Sequence, residues 1–135
     1  MTLSGLQDLK EDEGLRLMPY RCSEGYLTIG YGWNLDKVPI PGEVADLLLS
    51  IAVARAENDA RTLIDFDRLT LPRQDVVVNM RYQLGAGGFR GFRRFIAAVN
   101  HGEYRMAAAE MLDSRWAQQT PTRAARLARI MENGQ

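Results

Sequence analysis

The chain holds one cysteine and one histidine in 135 residues. A single cysteine excludes an internal disulfide, and one histidine without a cysteine cluster leaves no ordinary zinc set. The sequence therefore implies no metal and no other cofactor. No apolar run approaches the roughly 18 residues that a membrane span needs. The opening MTLSGLQDLKEDEG is acidic and lacks the apolar stretch of a signal peptide. The expectation is a product made in the cytoplasm, monomeric and without stable membrane association. Internal repeats and low-complexity segments are absent. The glycine-rich GAGGFRGF at 85–92 has no Gly-Lys-Ser/Thr ending and follows no strand, which excludes a phosphate loop.

Net charge is zero, yet it is unevenly spread. Residues 1–67 carry 12 acids against 6 bases, a net −6, and residues 68–135 carry 5 acids against 11 bases, a net +6. An acidic half beside a basic half suits an anionic ligand handled mainly by the second half. The basic residues are spread over several helices, not gathered into one stripe, and this argues against nucleic acid as the partner. Solvated helix faces are the bland explanation of part of the asymmetry.

The order of elements reads as strands first and helices after, an α+β chain that is mostly α. Ser4 followed by Gln7 predicts a capping box with a helix from about Gly5, and Gly14 is the natural C-terminal cap. LMPY and YLTIGYG flank the turn segment RCSEG and predict a hairpin over 17–33. Pro41 suits the first position of a helix to about Ile64. Its Val44, Leu47, Leu48, Ile51 and Val53 cover more than one stripe, as in a helix buried on two sides. After the loop DFDRLT, Pro72 opens a helix with Val76, Val77, Met80 and Leu84 on its core face, ended by Gly85. Further helices are predicted near 92–100, 103–113 and 121–132, the last capped by Thr120-Pro121. Phe92, Phe95, Ile96 and Val99 read as core. The expected organisation is one domain over 1–135, with a sheet-bearing lobe at 1–40, a linking helix at 41–64 and a helical lobe at 65–135.

Glu13 is the residue whose position structural needs explain least. It shares the face of Leu6 and Leu9 at three- and four-residue spacing, in the last turn of its helix. The negative end of the helix dipole and loss of water both disfavour its charge, which raises the pKa of a carboxyl toward that of a general acid. A salt-bridged helix end, like Glu11 and Asp12 beside it, is the competing reading. Cys22 and Thr28 fall on or beside the hairpin.

Three stretches resemble one family: EGLRLMPYRCSEGYLTIGYG at 13–32, NMRYQLGAGGFRGF at 79–92 and SRWAQQTPTRAARL at 114–127. They are similar, in order and in content, to the phage-type (T4-type) lysozymes, the endolysins of glycoside hydrolase family 24. The resemblance runs from Leu3 to about Ile130 and is thinnest at 34–75, where this chain is shorter than the best-known members. It implies a lysozyme-like fold, with a small sheet-bearing lobe and a helical lobe joined by a long helix. It also implies hydrolysis of the β-1,4 bond between N-acetylmuramic acid and N-acetylglucosamine in bacterial peptidoglycan, with release from the cytoplasm through a holin.

Carried over by position, the resemblance makes Glu13 the proton donor and Thr28 the threonine that helps to position the attacking water. It sets Cys22 where the family usually has its second acid, an aspartate. Tyr82 and Gln83 fall where the family lines its cleft with an aromatic and an amide, and Arg123 where it places an arginine near the catalytic glutamate. Trp33, Asn34, Phe95 and Glu110 depart from the familiar residues and are not assigned as sugar contacts. A thiol with an ordinary pKa near 8.5 is a poor base at neutral pH, so three accounts of Cys22 stay open. It acts as base or nucleophile; or it shapes a pocket in which Thr28 and a polarised water carry the attack; or the enzyme is a lytic transglycosylase that forms a 1,6-anhydro product without water. A catalytically inactive wall-binding protein is the alternative from outside enzymology.

Overall fold

In the computed structural model, which describes residues 1–135, the first helix, α1 (Leu3–Glu13), starts from Thr2 and not from Ser4. The Thr2 hydroxyl accepts the Gly5 N–H at 3.1 Å, so the capping oxygen lies two residues earlier than expected and Ser4 sits in the first turn. Gly14 ends the helix with φ 71°, a conformation that L side chains rarely adopt, and its N–H returns to the Lys10 carbonyl at 2.9 Å. Two compact units follow from the contacts, Met1–Leu47 and Leu48–Gln135.

The first unit carries a three-stranded antiparallel sheet in the order β1 (Arg16–Arg21), β2 (Leu27–Gly30) and β3 (Trp33–Asn34). The β1–β2 register shifts between Arg16 and Tyr20. Pro19 lies in that interval and has no N–H to give to a ladder. Tyr20 pairs with Thr28, and Thr28 pairs with Asn34, so these three side chains form one row across one face of the sheet. Ile29 and Trp33 pair on the other face.

Helix α2 (Gly42–Arg61) begins in the first unit and ends in the second. Its burial differs from expectation: Leu47, Leu48, Leu49, Ile51 and Val53 are all exposed, and only Ala56 and Ala60 are buried. Leu47 lies in the first unit, which has no apolar core, while Leu48, Leu49, Ile51 and Val53 lie in the second, ahead of its apolar cluster, which the helix joins at Ala60.

A 3-10 turn at Phe66–Arg68 interrupts the expected loop and buries Phe66. Helix α3 (Leu71–Arg90) is capped by the Thr70 hydroxyl and kinks at Gly85, where φ is 75° and ψ 169°. The segment 85–92, expected to be irregular, resumes as helix beyond that glycine because one more turn buries Phe89. The remaining helices are α4 (Arg93–Asn100), α5 (Tyr104–Leu112), α6 (Arg115–Gln119) and α7 (Pro121–Asn133). α6 was not predicted, and it changes the role of Thr120. The Thr120 hydroxyl donates to the Trp116 carbonyl at 3.0 Å and closes α6, instead of capping α7.

The core of the second unit is one cluster. Val76, Val77 and Met80 of α3, Phe89, Phe95 and Val99, Met111, and Leu127 and Met131 of α7 are buried together. Phe89 meets Phe95 edge-on at 6.3 Å, Phe92 meets Phe95 likewise, and Phe92 meets Trp116 at 6.5 Å. Each such side chain contributes about 1.5–3 kcal/mol by burial. The architecture is α+β and mostly helical, with seven α-helices and one small sheet.

Candidate active site

The first unit brings Cys22 and Thr28 onto one face of the hairpin. The Cys22 N–H donates to the Tyr26 carbonyl at 2.9 Å, and the Gly25 N–H donates to the Cys22 carbonyl at 2.8 Å, which closes a tight turn. Gly25 takes φ 85° there. Cys22 lies two residues beyond Tyr20, the partner of Thr28, so it is the diagonal neighbour of Thr28 on the same face. The thiol is half-buried and held below its ordinary pKa. The backbone N–H of Glu24 is the chief cause, followed by that of Tyr26, with a smaller share from the Thr28 hydroxyl; partial burial and the Glu24 carboxylate act in the opposite direction.

Thr28 is the buried polar residue of the chain, 3% exposed. Its hydroxyl donates to the Tyr26 carbonyl at 2.9 Å. A hydroxyl has one proton, so in that state its lone pairs remain as acceptors, and donation to an ionised Cys22 sulfur requires breaking the bond to Tyr26.

Glu13 ends α1, and the structure corrects one expectation about it. Its side chain is exposed, because α1 has no buried residue: Leu6 and Leu9 on the same face are 42% and 43% exposed. The carboxylate instead lies close to the backbone at Gly32. A methyl group on Gly32 would stand 3.0 Å from Glu13 Oε2, and Gly32 has φ 79°. Gly32 is needed twice, for its backbone conformation and for the room it leaves.

In the second unit Tyr82 and Arg123 line one open cavity of about 390 Å³, together with Asn79, Asp75, Glu57 and the apolar Leu49, Val53 and Val78. Nε and Nη2 of Arg123 both donate to Asn79 Oδ1, at 2.8 and 2.6 Å, which fixes the guanidinium across α3 and α7. Tyr82 is half-exposed, 47%. Gln83 is turned away from that cavity: its Oε1 accepts the indole N–H of buried Trp116 at 2.8 Å. Sequence reading did not single out Asn79 or Trp116. The signal for Asn79 was present, since it lies three residues before Tyr82 on one face of α3; Trp116 carried none beyond its hydrophobicity.

Comparison with known proteins places the chain. The phage lysozyme family matches residues 10–130. The pre-baseplate central spike protein Gp5 of Enterobacteria phage T4 is 31% identical over 162 positions, covering 98% of this chain, which spans only 28% of the length of that protein. Probable T4-type lysozyme 2 of Dictyostelium discoideum is 26% identical, with 98% of this chain and 96% of that protein covered. An endolysin of Acyrthosiphon pisum secondary endosymbiont phage 1 is 31% identical over 112 positions, 80% of this chain and 75% of its own. Alignments of 162 positions to a chain of 135 mean that those relatives carry residues absent here. With its motifs at 13–32, 79–92 and 114–127 inside the matched span, this chain belongs to the phage lysozyme family.

Proposed function

We propose that the protein is a muramidase of the endolysin type, which hydrolyses the β-1,4 bond between N-acetylmuramic acid and N-acetylglucosamine in bacterial peptidoglycan. The observation that carries this reading is the hairpin of the first unit. It holds a thiol of lowered pKa and a buried hydroxyl on one sheet face, in the same unit as a carboxylate lodged against Gly32. Glycosidases need one group to protonate the leaving oxygen and another to support attack at the anomeric carbon. Glu13 is the proton donor. Cys22 supports attack as a thiolate, either on water or on the sugar, and Thr28 offers its lone pairs to the attacking water. Tyr82 and Gln83 contribute to substrate binding on the helical unit, and Arg123, steadied by Asn79, meets the negative charge of the lactyl and peptide carboxylates.

No helix is long and apolar enough to cross a membrane. In our reading the monomeric protein waits in the bacterial cytoplasm until a holin opens the inner membrane, and then acts on the wall. The names of the endolysin and T4-type lysozyme relatives support the reaction class. Turbidity loss of chloroform-treated Gram-negative cells tests it. The wild type clears the suspension and Glu13→Gln does not, while circular dichroism of the variant stays native. A wild type without lytic activity would favour a wall-binding protein and overturn the proposal.

A further inference from the structure

We propose that the cavity beside Tyr82 takes the zwitterionic end of a diamino acid in the peptidoglycan stem peptide, with Arg123 on its carboxylate and Asp75 on its ammonium group. The inference rests on the muramidase reading and names the class of stem peptide that this site selects.

The cavity, of about 390 Å³, lies wholly within Leu48–Gln135. One wall is a single face of α3, where Asp75, Val78, Asn79 and Tyr82 recur at three- and four-residue spacing. The other is a face of α2, with Leu49, Val53 and Glu57 one turn apart. Glu57 is already engaged, since its Oε1 accepts from Nε and Nη2 of Arg61 at 3.2 and 3.0 Å. Asp75 is exposed and makes no hydrogen bond and no ion pair. Arg123 makes no ion pair either, and its two bonds to Asn79 Oδ1 leave Nη1 free to donate.

An unpaired carboxylate and an unpaired guanidinium therefore line one cavity without neutralising each other. Asp75 and Asn79 stand one helical turn apart, about 5–6 Å between Cβ atoms, and Asn79 holds the guanidinium. Separated opposite charges beside apolar Leu49, Val53 and Val78 match a ligand that carries both charges at the end of an apolar stem. Diaminopimelate in a stem peptide has this form, a run of methylenes ending in an ammonium and a carboxylate on one carbon. Lysine in the same place offers methylenes and an ammonium but no carboxylate. The lactyl group offers a carboxylate alone.

Calorimetric titration of soluble disaccharide-peptides, with the wild type and with Asp75→Asn, tests this assignment. The variant keeps its Tm, because Asp75 is exposed and has no partner to lose. For the diaminopimelate ligand the proposal predicts a Kd raised about twofold to fivefold in Asp75→Asn, the range open to a solvent-exposed ion pair. Once the free amine of that ligand is acetylated, wild type and variant bind alike. The wild type binds the lysine-containing ligand about twofold to fivefold more weakly than the diaminopimelate one. The general field acts in the opposite direction, since removing an acid favours an anionic ligand, so a raised Kd reports the lost pair with the amine. Equal Kd for variant and wild type on the unmodified ligand overturns the assignment. A loss that survives acetylation, or equal wild-type affinity for the two diamino acids, overturns it as well. A protein that shows the expected Kd pattern but cuts no peptidoglycan keeps the cavity assignment and loses the muramidase reading instead.

Discussion

In Leu48–Gln135 a continuous set of buried apolar side chains runs from Ala60 to Met131, whereas in Met1–Leu47 the one buried residue is Thr28. The second unit is stabilised by area removed from water. The first is stabilised by backbone ladders, positive-φ glycines and short polar contacts: Gly25 in the turn, Gly32 beside Glu13, Asp36 on the Leu27 N–H, and Asn34 on two loop N–H groups. The residues proposed to do chemistry lie on the hydrogen-bonded side of this contrast. Hydrogen bonds are directional, so a small sheet built from them fixes the angles of a thiol, a hydroxyl and an amide without a large core.

The contrast can be broken most sharply by core truncation. Phe95→Ala should lower unfolding stability by about 3–5 kcal/mol, since Phe95 is fully buried between Phe89 and Phe92. Leu17→Ala, at 78% exposure in β1, should stay within about 0.5 kcal/mol. Denaturant titration of both variants checks this, and equal losses would show that the first unit depends on apolar burial after all.

Next in size is Asp59. Arg81 Nε lies 2.6 Å from its Oδ2 and Arg90 Nη2 3.1 Å from its Oδ1, so one carboxylate ties α2 to α3 on both sides of the Gly85 kink. The hydrogen bond from Arg81 is the chief reason its pKa is held below the usual carboxylate value, with Arg90 adding to it against the effect of burial. A depressed folded-state pKa contributes stability that is complete above the unfolded value, near 3.9, and is lost as pH falls through the folded value. Asp59→Asn should therefore cost about 2 kcal/mol at neutral pH and flatten the acid limb of stability below about pH 4. Urea unfolding at a series of pH values reads both.

Gly32→Ala should cost only about 1–2 kcal/mol, the usual penalty for a left-handed L residue. It should also lower lysis, because the new methyl group pushes Glu13 Oε2, 3.0 Å away, by a few tenths of an ångström. Retained lysis with that loss of stability would show that the placing of Glu13 does not depend on Gly32. The smallest effect concerns the thiol: the pH midpoint of Cys22 alkylation should lie lower in the folded protein than in the urea-unfolded chain, since the Glu24 and Tyr26 N–H groups act only when the turn is formed.

The same contrast explains what could be read from the sequence. The helical unit announced itself through periodicity: Val76, Val77 and Met80 recur at helical spacing, and their burial follows. Gly14 and Gly85 marked helix interruptions because positive φ leaves few alternatives. What periodicity does not encode was missed. The helix beyond Gly85 and the five residues of α6 are too short for a pattern, and Thr120 was misread because its partner, the Trp116 carbonyl, belongs to that unseen helix. Apolar spacing overstated the burial of α2, since a stripe shows what can be buried and not whether a core exists to take it. At the candidate site, helix-end physics singled out Glu13 and the resemblance supplied the proposed roles of Cys22 and Thr28, but the cross-strand row of Tyr20, Thr28 and Asn34 depends on register, which two-residue β3 does not reveal in sequence.

The central claim is that a hairpin with a thiol in place of a second acid supports hydrolysis of a glycosidic bond, with Glu13 as the proton donor. Mass spectrometry of muropeptides released from purified peptidoglycan tests it most directly. The account predicts products ending in reducing N-acetylmuramic acid, each carrying the mass of one added water, and none from Glu13→Gln. Products ending in 1,6-anhydro-N-acetylmuramic acid would contradict it, because they would show that the sugar's own O6 hydroxyl, and not water, attacks the anomeric carbon.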